Sequence, residues 1–119
     1  MTDACALVRE YHAGWTNKQF DQSIRCLAAD LAVEVPINSY PTRDAFAHAL
    51  RQFGELVTRV HLLAEFATLE EAMLLYDMDV KGLGTLRVAE HFTVVGGQIV
   101  RLRQIHDTAA VRAAGFARA

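Results

Sequence analysis

The sequence lacks any long hydrophobic run, because none of its apolar stretches approaches the roughly 20 residues that cross a bilayer. Its first ten residues, MTDACALVRE, have neither the basic segment nor the apolar core of a secretory signal. Acidic and basic residues are interspersed, and the formal net charge is −2. We therefore expect a cytoplasmic protein with no membrane partner and, without a basic patch, no nucleic-acid partner.

Cysteine is also scarce, since Cys5 and Cys26 are the only two. They fall in separate helical segments without histidines at ligand spacing, so we expect free, packed thiols. The sequence has no metal-ligand spacing, no glycine loop of the phosphate-binding type and no Ser-His-Asp arrangement, so we expect no metal and no cofactor. With 119 residues, 52% hydrophobic and 22% charged, the chain is predicted to be a single domain over 1–119.

Apolar residues at helical spacing predict three helices in the first half of the chain. The first has Thr2 as its cap and Asp3 in its first turn, and is broken at Gly14 and Asn17. Its buried stripe is Ala4, Leu7, Val8, Tyr11 and Trp15. The second starts near Asn17, with one face made of Phe20, Ile24, Leu27 and Ala28 and an Asp21–Arg25 pair. A strand follows near Leu31 and ends at Pro36. The third helix is capped by Thr42, ends at Gly54 and buries Phe46, Ala49, Leu50 and Phe53.

Alternating residues predict four strands after that, over about 57–68, 72–80, 85–95 and 98–107, joined by three antiparallel hairpins. One face of the last two strands carries Leu86, Val88, Glu90, Phe92, Val94, Val100, Leu102, Gln104 and His106. The other carries Thr85, Arg87, His91, Thr93, Arg101, Arg103 and Asp107. The strand before them has Leu74, Tyr76, Met78 and Val80 on one face, and its other face carries Asp77 and Asp79. This sheet must be covered on one side only. The alanine-rich tail is predicted to be a frayed helical end.

The turn at Gly96-Gly97 decides which side chains share a face. A strict two-residue turn would pair Glu90 with Arg103 and set an apolar face against a charged one. We therefore expect a three-residue loop over 95–97, with one glycine in the left-handed conformation, which keeps Glu90 on the same face as Gln104.

Three helices, a short strand after the second and a four-strand meander resemble the nuclear transport factor 2-like superfamily, in its SnoaL-like branch. The resemblance covers about residues 4–109 and rests on AADLAVEVP, YPTRDAFAHAL and HFTVVGGQIVRLRQIHD. It implies an α+β fold in which a cone-shaped curved mixed sheet, mainly an antiparallel meander, wraps over three N-terminal helices around an apolar pocket. The superfamily includes ketosteroid isomerases, polyketide cyclases, limonene epoxide hydrolases, dehydratases and non-enzymatic binding domains, so the resemblance predicts fold better than function.

The isomerase pattern is half present in this chain. By resemblance, Tyr11 stands where those enzymes place a tyrosine oxyanion donor, and Glu90 where they place a neutral carboxylic acid. Their aspartate base corresponds to Val35. The epoxide hydrolase pattern matches less well, because its aspartate on the last strand corresponds to Gln104 and its inner-face charges to Tyr76 and Met78.

Glu90 is the strongest candidate for chemistry, because a carboxyl group within an apolar strand face should have a raised pKa and could donate a hydrogen bond. The alternative is a buried network in which Glu90 bonds Tyr11, Gln104 or His106 without any substrate. His106, expected to be the only histidine facing the cavity, could act as a base or be a satisfied core residue. The other histidines are expected on helix surfaces or the outer sheet face, or cannot be placed: His12, His48, His61 and His91.

Three functions remain open at this point. The first is a cofactor-free isomerase, cyclase, dehydratase or hydrolase for a small hydrophobic carbonyl compound, with Tyr11, Glu90 and His106 as catalytic residues. The second is a pocket that binds a hydrophobic molecule without turnover, and the third is a dimerising scaffold. The expected ligand-binding residues are Trp15, Val35, Tyr76, Met78, Val88, Phe92, Leu102 and Gln104.

We also expect a homodimer formed through the convex face of the sheet. That face mixes Asp77, Asp79, Arg87, His91, Arg101 and Arg103, so the interface should be polar and weakened by salt.

Overall fold

The computed structural model describes residues 3–115 of the chain. In chain order its elements are α1 (Ala4–Thr16), α2 (Phe20–Arg25), β1 (Leu27–Glu34), α3 (Arg43–Gly54), β2 (Val57–Ala67), β3 (Glu71–Val80), β4 (Gly84–Val95), β5 (Gln98–His106) and α4 (Ala109–Ala113). The predicted three helices, the following strand and the four-strand meander are confirmed.

One curved mixed sheet organises the fold, with strand order β1-β5-β4-β3-β2. Strands β2 to β5 pair antiparallel through three hairpins, whereas β1 pairs parallel with β5. The helices and the inner faces of the strands share one hydrophobic core. The predicted α+β class is therefore confirmed. Within residues 3–115 no helix is long and apolar enough to cross a membrane.

Helix α1 buries the predicted stripe, but its N-cap and its last residue differ from the predicted ones. Its N-cap is Asp3, whose side chain accepts a hydrogen bond from the Ala6 amide at 2.9 Å, whereas Thr2 lies outside the described residues. Gly14 does not break the helix, which continues to Thr16. A Cβ atom at Gly14 would lie 2.4 Å from Ser23 Oγ, so the missing side chain lets α2 approach α1. Ser23 Oγ in turn donates to the Tyr11 carbonyl at 2.5 Å.

Helix α2 is shorter than predicted, because Leu27 and Ala28 belong to strand β1. Leu27 pairs with Ile99 of β5, and the Ile99 amide donates to the Cys26 carbonyl at 2.7 Å. Pairing between strands outweighs the local helical spacing here. The expected Asp21–Arg25 pair is likewise replaced, since Arg51 of α3 donates to the Asp21 carboxylate.

Helix α3 is capped as predicted, because Thr42 Oγ1 accepts from the Ala45 amide at 3.1 Å. Phe46 and Ala47 are buried. The helix ends at Gly54, where a Cβ atom would lie 2.4 Å from the Phe20 ring. Lys18, in the turn that connects α1 and α2, bonds this end of α3, because its Nζ donates to the carbonyls of Gly54 and Val57. Lys18 adopts φ = 63°, in the left-handed region.

The β4–β5 hairpin contradicts the expected three-residue loop. Val95 pairs with Gln98 across a two-residue turn of Gly96 and Gly97, both with positive φ. The register then shifts by one residue, because Val94 pairs with Ile99 and Thr93 with Arg101, which leaves Val100 as a β-bulge. Ile99, not Val100, is therefore fully buried. Beyond the bulge the predicted faces are confirmed by these pairs: Phe92 with Leu102, Glu90 with Gln104, and Val88 with His106.

The chain folds back after β5 as the short helix α4, which confirms a helical tail over residues 109–113. Val111 is its one buried residue. The remainder of the predicted tail, 116–119, lies outside the described residues.

Candidate functional site

A cavity of about 660 Å³ lies between the inner face of the sheet and the helices. Its wall is formed by α1, residues 35–41, α3, strands β3 to β5 and the Val111 side chain of α4. Most of the wall is apolar, including Trp15, Phe46, Met78 and Leu86. A volume of this size matches pockets of about 300–1,000 Å³ that hold small organic molecules.

Glu90 is a buried carboxyl group in this wall, with 1% of its surface exposed. Gln104 lies opposite it on β5 and donates from Nε2 to Glu90 Oε2 at 2.8 Å. Tyr76 comes from β3 on the other side and donates from its hydroxyl to Glu90 Oε1 at 3.0 Å. Each carboxyl oxygen thus accepts one hydrogen bond from a neighbouring strand.

Burial raises the pKa of Glu90 from 4.5 to about 7, although the hydrogen bonds from Gln104 and Tyr76 act in the opposite direction. Glu90 therefore belongs to a hydrogen-bonded network and also has a raised pKa, so a structural feature of each interpretation is present. Of the three expected partners, only Gln104 bonds it. Its second partner is Tyr76, which was expected among the ligand-binding residues and not as a partner of Glu90.

Tyr11 lines the same cavity from α1 and is 1% exposed. Its ring meets Phe92 edge to face, with the centroids 5.6 Å apart. Within residues 3–115 no protein group hydrogen-bonds its hydroxyl. Burial, followed by the nearby Glu90 carboxylate, raises the pKa of Tyr11 well above its usual value. The phenol therefore stays protonated and can donate a hydrogen bond.

His106 reaches the cavity from the end of β5 and is half-buried. Its Nδ1 lies 3.0 Å from the Asp107 carbonyl, which can only accept, so Nδ1 carries hydrogen in this contact. In the neutral ring Nε2 then has a free lone pair. His106 is not the only histidine of the wall, because His48 lines it from α3, contrary to expectation.

His12 is half-buried, and its inward position was not predicted from the sequence. It was expected on a helix surface or left unplaced, but its ring packs between Trp15 and Tyr76, with centroid distances of 5.4 and 4.9 Å. Burial lowers the pKa of His12 to about 4, and its Nδ1 has no hydrogen-bond partner among the described residues. Its position four residues after the buried Val8 was the available signal.

Five of the expected ligand-binding residues lie in the cavity wall: Trp15, Val35, Tyr76, Met78 and Gln104. The other three, Val88, Phe92 and Leu102, face inward but lie in the packed core and are at most 1% exposed. Helix α3 supplies wall residues that the sequence analysis treated as core, including Phe46, Leu50 and Phe53. Among residues 3–115 no three His, Cys, Asp or Glu side chains form a cluster able to hold a metal ion.

Known proteins resemble this chain mainly in fold. A protein from Kribbella flavida DSM 17836 has a TM-score of 0.89 and 29% identity, covering 96% of this chain and 94% of its own. A steroid delta-isomerase from Pseudomonas aeruginosa has a TM-score of 0.80 and 16% identity, covering 98% and 88%. An LEH-like epoxide hydrolase from M. tuberculosis has a TM-score of 0.73 and 20% identity, covering 93% and 87%. No curated protein matches.

The isomerase and the hydrolase are both less than 25% identical to this chain, so their similarity to it shows a shared fold alone. A family model described as a SnoaL-like domain matches residues 8–102, which is most of the chain. The chain therefore belongs to the SnoaL-like domain family and has the nuclear transport factor 2-like fold.

Proposed function

We propose that this protein, acting as one domain over its whole length, is a cofactor-independent proton-transfer enzyme of the isomerase, cyclase or dehydratase type. Its substrate is a small, largely apolar molecule that carries a carbonyl oxygen. Glu90 and Tyr11 donate hydrogen bonds to that oxygen, and His106 moves the proton through Nε2. The observation that carries the proposal is the buried Glu90 carboxyl in the wall of an apolar cavity, with a pKa of about 7.

The site supports these roles in chemical terms. With a pKa of about 7, Glu90 is protonated in about half of the molecules at pH 7, and in that form it can donate to an oxygen that gains negative charge during the reaction. The Tyr11 phenol supplies a second donor, since no protein group among the described residues uses its hydroxyl. The contact of His106 Nδ1 with the Asp107 carbonyl leaves Nε2 as the basic atom.

The second candidate is a binding protein that holds the same kind of molecule without turnover. It is favoured by Val35, an apolar residue in the cavity wall at the position where the isomerase pattern requires an aspartate base. The candidates differ in one observable, which is whether protons of a bound ketone exchange with solvent.

Binding and proton transfer can be measured separately. Trp15 is the only tryptophan and lines the cavity, so its fluorescence should change when an apolar ketone such as adamantanone or menthone binds. Proton NMR in D₂O then follows deuterium incorporation next to the carbonyl of menthone. We expect binding with exchange above the buffer rate. Binding without exchange would favour the second candidate, and the absence of binding would contradict both.

Substitutions test the role proposed for each catalytic residue. His106→Gln should abolish exchange while ketone binding persists, because it removes the base and keeps a polar side chain. Glu90→Gln should slow exchange by about 10²-fold, the lower range for loss of one oxyanion donor. Glu70→Gln, at an exposed position away from the cavity, is the matched control and should leave exchange unchanged.

We further propose that the protein pairs with a second copy through the convex face of the sheet. Cross-strand pairs place an apolar row across that face: Ala64, Leu75, Ala89 and Ile105. Ile105 is 73% exposed. The charges beside the row are satisfied within the chain, since Arg87 bonds Asp77 at 2.7 Å and His91 contacts Glu71 at 2.9 Å.

These contacts change the expected character of the interface. An apolar row supports association that depends only weakly on salt, instead of the polar, salt-sensitive interface expected from the sequence. Sedimentation velocity at micromolar concentration should detect a dimer at low and high salt. Ile105→Asp should give monomers, whereas Leu69→Asp, in the exposed β2–β3 connection, should not.

A further inference from the structure

The cavity wall carries almost no side chains with a permanent charge. Its wall residues among 3–115 include one carboxyl group, that of Glu90, and two imidazoles, those of His48 and His106. They include no lysine, arginine or aspartate. The arginines of the last two strands lie on the opposite face, where Arg87 is paired with Asp77 and Arg103 contacts His91. An anion in the cavity would therefore have no guanidinium or ammonium partner in the described wall.

The part of the cavity around Glu90 disfavours anions for a second reason. The Tyr76 hydroxyl and one N–H of the Gln104 amide are already directed to Glu90. An anionic group placed beside Glu90 would compete for them and, whenever Glu90 is ionised, would face a like charge in an apolar surrounding. Burying a charge without a partner is costly, whereas an uncharged oxygen can accept from Tyr11 or from protonated Glu90.

We infer that the cavity selects uncharged ligands and excludes anionic ones of the same shape. The inference rests on the proposed function, because it names the charge class of the molecules that the cavity accepts. It predicts that carboxylic acids, which are ionised near neutral pH, bind weakly, while the corresponding amides, esters and ketones bind. Selection arises from the missing cation and the buried carboxyl group together.

A matched pair of compounds tests the inference. Adamantanecarboxamide and adamantanecarboxylate have nearly the same shape and differ in charge. Titration calorimetry of the full chain at pH 8, where imidazoles generally carry little charge, should give at least about tenfold tighter binding of the amide. Gln104→Arg adds a cation beside Glu90 and should reduce or reverse that ratio. Gln104→Met, which adds no charge, should retain the preference for the amide.

The outcomes separate the two proposals. Equal or tighter binding of the carboxylate by the natural chain would overturn charge selection while leaving the cavity as a binding site. Binding of neither compound, nor of the ketones used to test the proposed function, would overturn both. Circular dichroism of each variant identifies one that has failed to fold, and in that case Met78→Lys, also in the wall, replaces Gln104→Arg as the added cation.

Discussion

Gln104 lies directly opposite Glu90 and donates its side-chain amide to the carboxyl oxygen at 2.8 Å. The pair joins β4 to β5 through their side chains at the point where the sheet forms the cavity wall. Because Tyr76 holds the other oxygen, the position of the carboxyl group is fixed from both neighbouring strands. Such a group can be oriented before a ligand arrives, which reduces the cost of ordering it on binding.

Glu90→Gln should stabilise the empty protein above neutral pH. The folded-state pKa of about 7 lies above the ordinary 4.5, so folding takes up a proton and stability falls as pH rises through that interval. At pH 8 the penalty approaches about 3 kcal/mol by the linkage relation, and the glutamine variant lacks it. Urea unfolding between pH 4 and 8 measures the difference. A variant that is less stable than the natural chain at pH 8 would contradict the raised pKa.

Tyr76→Phe should raise the pKa of Glu90 further, because it removes a hydrogen bond that favours the carboxylate. Loss of this buried bond should also cost about 1 kcal/mol of unfolding free energy at pH 8. Carboxyl-carbon NMR of labelled glutamate measures the titration. Tyr11→Phe is the control, since the Tyr11 hydroxyl does not bond Glu90, and it should move the pKa much less. A downward shift in Tyr76→Phe would disprove the assignment.

The turn at Gly96 should accept asparagine and reject valine. Gly96 and Gly97 have φ of 60° and 77°, and asparagine tolerates that region better than a β-branched residue. We expect Gly96→Asn to change the unfolding free energy by less than about 0.5 kcal/mol, and Gly96→Val to lower it by about 1–2 kcal/mol. Thermal unfolding measures both. Equal losses would indicate that φ at this position does not limit stability.

Substitutions of Lys18 separate backbone strain from side-chain bonding. Lys18→Ala loses the contacts with the Gly54 and Val57 carbonyls but keeps a Cβ atom at φ = 63°. Lys18→Gly loses the same contacts and relieves the left-handed conformation. The glycine variant should therefore be more stable than the alanine variant by about 1 kcal/mol. Chemical denaturation decides, and an alanine variant as stable as the glycine variant would contradict the strain.

The sequence predicted the inner face of β4 well because a sheet covered on one side imposes a two-residue period that local order reveals. The carboxyl group of Glu90 could be located in this way. Its hydrogen bond from Tyr76 could not, because it depends on how β3 is aligned with β4 across the Lys81–Gly84 turn. The same limit applies to Leu27, whose helical spacing was outweighed by pairing with β5.

The contribution of α3 to the cavity wall could not be predicted from the sequence, for a different reason. Phe46, Leu50 and Phe53 have the spacing of core residues, and only the distance between the helix and the sheet decides whether they pack or border a space. His12 is the opposite case, a residue expected at a surface or left unplaced that packs inside. Its position depends on Trp15 and Tyr76, which lie on either side of its ring. The spacing of His12 after Val8 places it near the buried stripe, but periodicity predicts neither the rings that it meets nor the space beside α3.

The bulge at Val100 bears on how related sequences should be aligned. Without Val100, Ile99 and Arg101 would be consecutive and would still oppose Val94 and Thr93, so the hairpin would be regular and Gln104 would still oppose Glu90. A relative with one residue fewer in this hairpin should therefore carry its gap at position 100 rather than in the Gly-Gly turn. An alignment that puts the gap in the turn would match the relative's buried counterpart of Ile99 with the bulged Val100.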